Sequence, residues 1–522
     1  KGVVGAHVLG FNTGSTGIAV IGTYSDAAPP PAAMSALRSL LAWKLDVHHL
    51  DPLATYPLTC GYGQKYATGE TVWFKAISGH RDANYTECPG DALYRALGRV
   101  RTAVAAMGEP KVYDPTLSAA AFSPNGDGRR DRVTVSFRLS EAAAWTVQVR
   151  AADGSVVRHL EGEAPGGETV SVVWDGRDDA GNVVADGSYK VIVGAANEHG
   201  AAREATLPVT VDTVPPAVAE VSCVPDPFSP NGDGQDDLTT VLLRASEPGD
   251  LRVTVVDGSG AVLRTVCGWT ALDGTSGAVP WDGTLDGSAG PVAAPEGPAT
   301  LRLELRDAAR NAAAATVDVA VDRTLGFPRL SRRWLSPNGD GRADDVTLGF
   351  ALTRTAPVEL VVSKGDAAVR TERIGRLGSG ERSAVWDGRD DGGATVRSGR
   401  YLVGVLARSP WGQTRVALPV TVDLYRPRLT VPEGLTVAAG ATARVAWSVR
   451  DPYSATVRVR VTVTDGKGRL RATLDLGWVR QGTAQTLRWK PPARGRYTLA
   501  FTARDRAGND QAAAALTTLR VK

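Results

Sequence analysis

The sequence predicts a multidomain chain, with an α/β segment over residues 1–108 followed by a tandem array of all-β sandwiches. Three observations predict it. Ser-Pro-Asn-Gly-Asp-Gly occurs at Ser123–Gly128, Ser229–Gly234 and Ser336–Gly341, at offsets of 106 (123 to 229) and 107 (229 to 336). Trp-Asp-Gly follows at Trp174, Trp281 and Trp386, trailing the first mark by 51, 52 and 50 residues. Before the first of these marks, helix-period stretches stand among strand candidates, as in α/β material. A chain of 522 residues is in any case too long for a single core.

Each repeat is about 100 residues of short alternating strands, a size and rhythm that suit a two-sheet, immunoglobulin-like sandwich. Val133–Leu139, Trp145–Val149 and Val253–Val256 are examples, with Asp153-Gly154 and Asp257-Gly258 as turns. The repeats end in a Val-rich strand and an Asp, at Asp212, Asp322 and Asp423. The expected divisions are a linker at 109–118, sandwiches at 119–213, 214–323 and 324–424, and a diverged fourth at 425–522. The fourth keeps the style (Arg458–Val463, Asp465-Gly466, Trp489, Asp505–Asn509) but lacks the Ser-Pro-Asn-Gly-Asp-Gly mark.

In the first segment, Thr16–Tyr24 and Val72–Ile77 read as strands. Ala32–Leu45 reads as a helix with Met34, Leu37, Leu40 and Leu41 at helical spacing after a Pro-rich entry. Asp91–Met107 reads as a second helix, with Leu93, Leu97, Val100 and Val104 on one stripe. Glu109–Thr116 carries two prolines and reads as linker.

Composition excludes several classes. Apolar content of 43% is that of folded protein. A net charge of +3 without a polybasic block gives no field for nucleic acid. No apolar run reaches the roughly 18 residues a membrane-spanning helix needs. Trp (12) outnumbers Phe (8), so each Trp is expected at a chosen place. Four cysteines are too few for a disulfide scaffold, although Cys223 and Cys267 share one repeat and could pair if the protein is exported. The chain starts at Lys inside what reads as a domain, so an upstream piece, with any targeting signal, is expected to be missing.

The chemistry concentrates in Ile77–Gly90. A strand is expected to deliver His80 at its end, and a loop to return Cys88 just before a helix. One imidazole and one thiolate on rigid elements suit zinc. A catalytic zinc keeps an open position, where it makes water nucleophilic and polarises a carbonyl. A lone His and Cys eight apart are more often structural, so the flanking residues matter. His48 and His49 close a helix and read as packing or capping groups, Cys60 as free or paired outside this chain, and Asp82 and Glu87 as surface or loop-bracing carboxylates.

Gly79-His-Arg-Asp82 and Thr86-Glu-Cys-Pro-Gly90 resemble the end of the amidase domain shared by peptidoglycan recognition proteins and phage-lysozyme-type amidases. Val4–Asn12 and Ser15–Gly22 resemble that family's central strands, and the likeness runs in order to about residue 107. The resemblance implies a zinc-dependent enzyme that cuts the amide between N-acetylmuramic acid and L-alanine in the cell wall. It implies His80 and Cys88 as zinc ligands, Thr86 as a residue helping the transition state, and His7 and Asn12 beside the substrate groove. The family's first ligand histidine and its catalytic tyrosine lie upstream of the matched part. This polypeptide alone is therefore expected to bind zinc weakly and to be inactive, while a full-length parent is active.

The Ser-Pro-Asn-Gly-Asp-Gly loops offer oxygens at alternate positions. They are Ser123, Asn125, Asp127 and Asp131, then Ser229, Asn231, Asp233 and Asp237, then Ser336, Asn338, Asp340 and Asp344 or Asp345. The pattern resembles the start of a calcium loop, but the first Asp and the bidentate Glu of such a loop are missing; Thr134 stands at the twelfth place. The alternative is an Asx-type turn that locks the loop before a strand. The Trp of Trp-Asp-Gly is expected to plug the sandwich. Residues 119–424 also resemble the immunoglobulin-like domain of the flagellar hook-capping protein, which implies a spacer or adhesive role.

The leading expectation is a secreted or surface-bound bacterial cell-wall hydrolase, with peptidoglycan as partner and four sandwiches as stalk. The rivals are a non-catalytic peptidoglycan-binding surface protein, and an adhesin or filament subunit in which the sandwiches carry the function.

Overall fold

The computed structural model describes residues 4–272 and 274–522; Lys1–Val3 and Asp273 lie outside the described residues. Two compact units are present: Lys1–Ala217 with Ser246–Asp250 and Leu305–Ala313, and the remainder of the chain.

In the first unit the head segment holds three helices and a hairpin. Helix α1 spans Pro31–Val47, with proline at its first position, where a missing N–H costs nothing. Strands β1 (Thr55–Thr59) and β2 (Thr71–Lys75) pair antiparallel. Helix α2 is one turn, His80–Ala83, and α3 spans Asp91–Ala105. The predicted stripe Leu93, Leu97, Val100 and Val104 is buried; its last three members pack with Leu45 and Ile77. On α1 only Leu45 is buried, and Leu40 and Trp43 are exposed. A second cluster joins Phe11, Cys60 and Ala83, with Phe11, Tyr66 and Phe74 in edge-to-face contact.

Three expectations for this segment are corrected. Thr16–Tyr24 is not a buried strand: it forms no ladder, and Ile21 is 97% exposed. Val4–Asn12 likewise forms turns rather than a strand. A strand needs a partner strand for its N–H and C=O groups, and among the described residues neither stretch pairs in a ladder. Tyr24 instead anchors its stretch, its carbonyl accepting the N–H of Ala92 at 3.0 Å. Finally, β2 stops at Lys75, so His80 opens a short helix rather than ending a strand.

The first sandwich packs a three-stranded sheet (Val112–Leu117, Val133–Leu139, Thr169–Trp174) against a larger one. The larger runs Ala121–Phe122, Ala205–Val211, Gly187–Asn197, Ala143–Arg150, Val156–Ala164. Inward residues alternate along Val133–Leu139, burying Val133, Val135, Phe137 and Leu139. Arg138 ties this sandwich to the head: its guanidinium reaches Asp51 and Asp114, each at 2.8 Å. Tyr56 closes that network, donating to Asp114 at 2.7 Å and accepting the N–H of Asp51.

The second unit holds two complete sandwiches with the same order of strands. The third repeat pairs Leu325–Leu330, Val346–Leu352 and Gly380–Trp386 in one sheet, and the fourth pairs Arg428–Thr430, Ala443–Arg450 and Gln485–Trp489. Each faces a five-stranded sheet, so the fourth keeps the fold without the Ser-Pro-Asn-Gly-Asp-Gly mark. Tyr189, Tyr401 and Tyr497 each donate to the carbonyl four residues earlier, fixing the corner before the long central strand.

The two sequence marks meet in space. Trp174, Trp281 and Trp386 are fully buried, and each indole N–H donates to the carbonyl three residues on. Trp174 lies against Phe122 at 5.2 Å and Trp281 against Phe228 at 5.3 Å, the residue just before each Ser-Pro. Gly176, Gly283 and Gly388 sit on Pro124, Pro230 and Pro337. The near-constant spacing therefore records a contact between the two marks.

The Asn and Asp side-chain oxygens of the loops that suggested calcium accept backbone amides. Asp131 accepts the N–H groups of Gly126 and Gly128 at 2.7 and 2.8 Å. Asp237 and Asp344 repeat this on Gly232 and Gly234, and on Gly339 and Gly341. Asn125, Asn231 and Asn338 accept from Asp127, Asp233 and Asp340, whose carboxylates accept from the residues two further on. This is the Asx-turn arrangement, and it leaves these carboxylates without a common focus.

The Cys223–Cys267 pairing that the shared repeat allows is not formed. Both thiols are free and sit on strands of different sheets. Burial pushes the Cys223 thiol up to about 11, which keeps it protonated and inert.

Candidate functional site

A cleft of about 420 Å³ opens in the head segment, lined among others by His7, Asn12, Gln64, His80, Asn84 and Thr86. Four of the five residues singled out in this segment thus reach one cavity, although they come from separate stretches of chain. Cys88 is exposed on the loop beside it.

Asn12 shapes one wall. Its side-chain carbonyl accepts the N–H groups of His7 and Val8, both at 2.8 Å, which closes the turn carrying His7. The His7 ring then meets Ser15 Oγ at 2.9 Å.

The opposite wall is held by Asp82. Its carboxylate accepts the N–H of Gly79 at 2.8 Å and the hydroxyl of Tyr94, so the turn before His80 is pinned to α3. Tyr94 gives its proton up less readily for that hydrogen bond. Lys65 donates to the carbonyls of Arg81 and Asp82 at 2.6 and 3.0 Å, and Tyr66 to that of Asp82 at 3.1 Å. His80 Nε2 faces Asn84 Nδ2 at 3.1 Å. The expectation that Asp82 braces the loop matches this geometry. Asp82→Ala is expected to lower stability by about 1–3 kcal/mol, because Gly79 N–H and the Tyr94 hydroxyl lose their acceptor. Denaturant unfolding measures this, and a change below about 0.5 kcal/mol would show that water replaces the carboxylate without loss.

The Cys88 loop is drawn back toward His80 by its backbone: Arg81 N–H donates to the Cys88 carbonyl at 3.0 Å. Thr86 Oγ1 accepts the N–H of Cys88 at 3.2 Å, a local turn that also turns the threonine to the cleft. Gly90 has φ of +89°, and a Cβ there would lie 2.4 Å from the Tyr24 carbonyl carbon, so only glycine lets α3 start where it does. His49 is structural, its Nδ1 meeting the Val112 carbonyl at 3.1 Å.

An imidazole and a thiol are the right kinds of donor for zinc. The number falls short. A catalytic zinc takes three protein ligands, and among the described residues no group of three His, Cys, Asp or Glu side chains includes His80 or Cys88. The described residues by themselves do not complete a zinc centre.

Residues 2–91 match the family N-acetylmuramoyl-L-alanine amidase, and residues 120–199 match the FlgD Ig-like domain. A peptidoglycan recognition protein of Trichoplusia ni is 34% identical over 96 residues, 18% of this chain and 41% of that protein. One from Bombyx mori is 32% identical over 96 residues, 18% and 38% of the two chains. An N-acetylmuramoyl-L-alanine amidase of Homo sapiens is 33% identical over 94 residues, 18% and 13%. The chain spans less than half the length of each of these relatives. No helix among the described residues is long and apolar enough to cross a membrane.

Proposed function

We propose that the amidase-family segment at the head of this chain belongs to a peptidoglycan-binding domain that, in a full-length parent, is a zinc-dependent N-acetylmuramoyl-L-alanine amidase of a bacterial cell wall. The observation that carries this reading is the cleft on which His7, Asn12, His80 and Thr86 converge. The stem peptide and lactyl group of a muropeptide are rich in amides and carboxylates. Asn12, Gln64 and Asn84 supply both donors and acceptors to such groups, and Tyr85 supplies an apolar face at the rim.

In this reading His80 and Cys88 are two of the metal's ligands, and the metal supplies Lewis acidity toward the scissile carbonyl. This chain's own residues hold the substrate: Asn12 fixes the His7 wall, and Asp82 with Lys65 holds the turn that presents His80. The sandwiches serve as a stalk, and the protein works outside the cell. A second reading, binding without cleavage, is favoured by one observation: among the described residues no group of three His, Cys, Asp or Glu side chains gathers at this cleft.

The test compares zinc content and muropeptide cleavage of this 522-residue polypeptide with those of an N-terminally extended one. The expected result is sub-stoichiometric zinc and no cleavage for the former, and one zinc with cleavage for the latter. His80→Ala in the extended protein should lower activity at least a hundredfold. Full activity in the shorter polypeptide would sink the two-donor reading, and an inactive, zinc-free extended protein that still binds muropeptide would establish the binding-only alternative.

A further inference from the structure

Asp423, Asp451 and Asp505 form a carboxylate cluster remote from the cleft and unrelated to its chemistry. Asp423 follows the last strand of the third sandwich, and Asp451 and Asp505 each follow a strand of the fourth. One carboxylate oxygen from each lies within 4.8 Å of the others. All three residues are buried, at 0, 1 and 1% exposure. Among the described residues no Lys or Arg forms an ion pair with any of them.

An acidic cluster alone means little. The second observation is Asp451 Oδ2, which is buried and has no hydrogen-bond partner. Its other oxygen accepts the N–H groups of Tyr453 and Ser454 at 3.0 and 2.8 Å, which fixes the carboxylate in place. Asp505 is held by Asn509, through its backbone and side-chain nitrogens at 2.8 Å each, and Asn509 also donates to the Asp423 carbonyl. Ser454 Oγ donates to Asp423 Oδ2 at 3.2 Å. The three carboxylates are thus positioned by second contacts, and one buried oxygen is left bare. Burying an unpaired anion is costly, and three together cost more.

The chain itself provides the control. Asp451 lies eight residues past Ala443, the strand partner of Trp489 (443 to 451). The same count from Val346, the partner of Trp386, gives Arg354 (346 to 354). Where Asp505 follows Ala503-Arg504, the third sandwich has Ser409 after Ala407-Arg408. At that junction Asp322 is satisfied by the Ser409 hydroxyl at 2.7 Å and the N–H of Thr324 at 3.0 Å. The fold therefore accepts Arg and Ser at these positions, and three anions are not needed for the junction to form. In the first unit the acidic set recurs: Asp212, Glu247 and Asp307 gather within the same limit, and Asn311 holds Asp307 and the Asp212 carbonyl as Asn509 does its counterparts.

We propose that Asp423, Asp451 and Asp505 bind a calcium ion at the junction of the third and fourth sandwiches. All donors are oxygen, which selects a hard cation, and a site fixed by several protein carboxylates suits calcium better than magnesium, which keeps most of its water. The ion removes the repulsion and locks the Asp423 linker to the two loops of the fourth sandwich. Without it burial, with the neighbouring Asp451 carboxylate, pushes Asp423 up to about 7, and burial pushes Asp505 up to about 6.

The test is calorimetric titration of calcium chloride into the chelator-treated 522-residue chain, with thermal unfolding in calcium and in chelator. Binding at or below about 1 mM is expected, the range of extracellular modules. Asp451→Asn, nearly isosteric, should lower the stoichiometry by one ion or weaken that site at least tenfold. The double change Asp451→Arg with Asp505→Ser copies the other junction; it should fold in chelator and lose the same ion. Unchanged stoichiometry and affinity in both variants would overturn the proposal, as would no heat at 10-fold higher calcium than that limit. Equal binding of magnesium would overturn the assignment to calcium.

Discussion

Trp386→Ala is expected to lower the stability of the third sandwich by about 3–5 kcal/mol, the range for a large aromatic removed from a core. The indole is 1% exposed and packs on Tyr401 at 5.4 Å. Alanine leaves both a cavity and the Arg389 carbonyl without the donor that now reaches it at 2.9 Å. Unfolding of a multidomain chain is not two-state, so the measurement is calorimetric: one transition should fall by more than about 10 °C while the others hold. Trp386→Phe should fall between the two proteins, since it keeps most of the volume and loses the hydrogen bond. A shift under about 2 °C for the alanine variant would show that this residue is not the plug.

Gly388→Ala is expected to be nearly as damaging, for a different reason. Gly388 has φ of +74°, and a Cβ there would lie 2.5 Å from Pro337 Cγ. Left-handed backbone costs a non-glycine residue about 1–2 kcal/mol, and overpacking adds about 1–3 kcal/mol. Gly393 separates the two effects. Its φ is +77°, but nothing lies within 4 Å of a Cβ built on it. Gly393→Ala should therefore show the backbone cost alone, and the difference between the variants measures the contact between the two marks. Equal losses would mean that Pro337 moves aside freely and that the marks are not mechanically linked.

Much of this was legible in residue order. The repeats were visible because Pro, Gly and Trp each answer a local demand that few residues meet: a fixed φ, a positive φ, a large plug. The α3 stripe was visible because one face of a helix must be apolar to be buried. The fourth sandwich was readable from its alternation although its first mark is gone. The candidate site was legible as a list, His7, Asn12, His80, Thr86 and Cys88, because short motifs name residue types.

The misreadings share a cause. Ser15–Gly22 has the apolar content of a central strand, but a strand is a relation between two segments, and pairing is not written in either one alone. At Asp131, Asp237 and Asp344 the structure shows the Asx-turn alternative and gives calcium no support. Their spacing matches a metal loop, yet whether a carboxylate faces an ion or its own amides depends on how the loop turns.

Residue order by itself determined that an α/β segment is followed by repeated β-sandwiches, because local conformational preference and period are properties of neighbours in sequence; the amidase likeness came from the motif resemblance at Gly79–Asp82 and Thr86–Gly90. Only the tertiary structure decided that His7 and His80 share a cleft, that Trp-Asp-Gly rests on Ser-Pro, and that Asp423, Asp451 and Asp505 stand within 4.8 Å of one another. Those are contacts between residues tens of positions apart. Charge repulsion, burial and hydrogen-bond closure depend on distance in space, and the fold sets that distance.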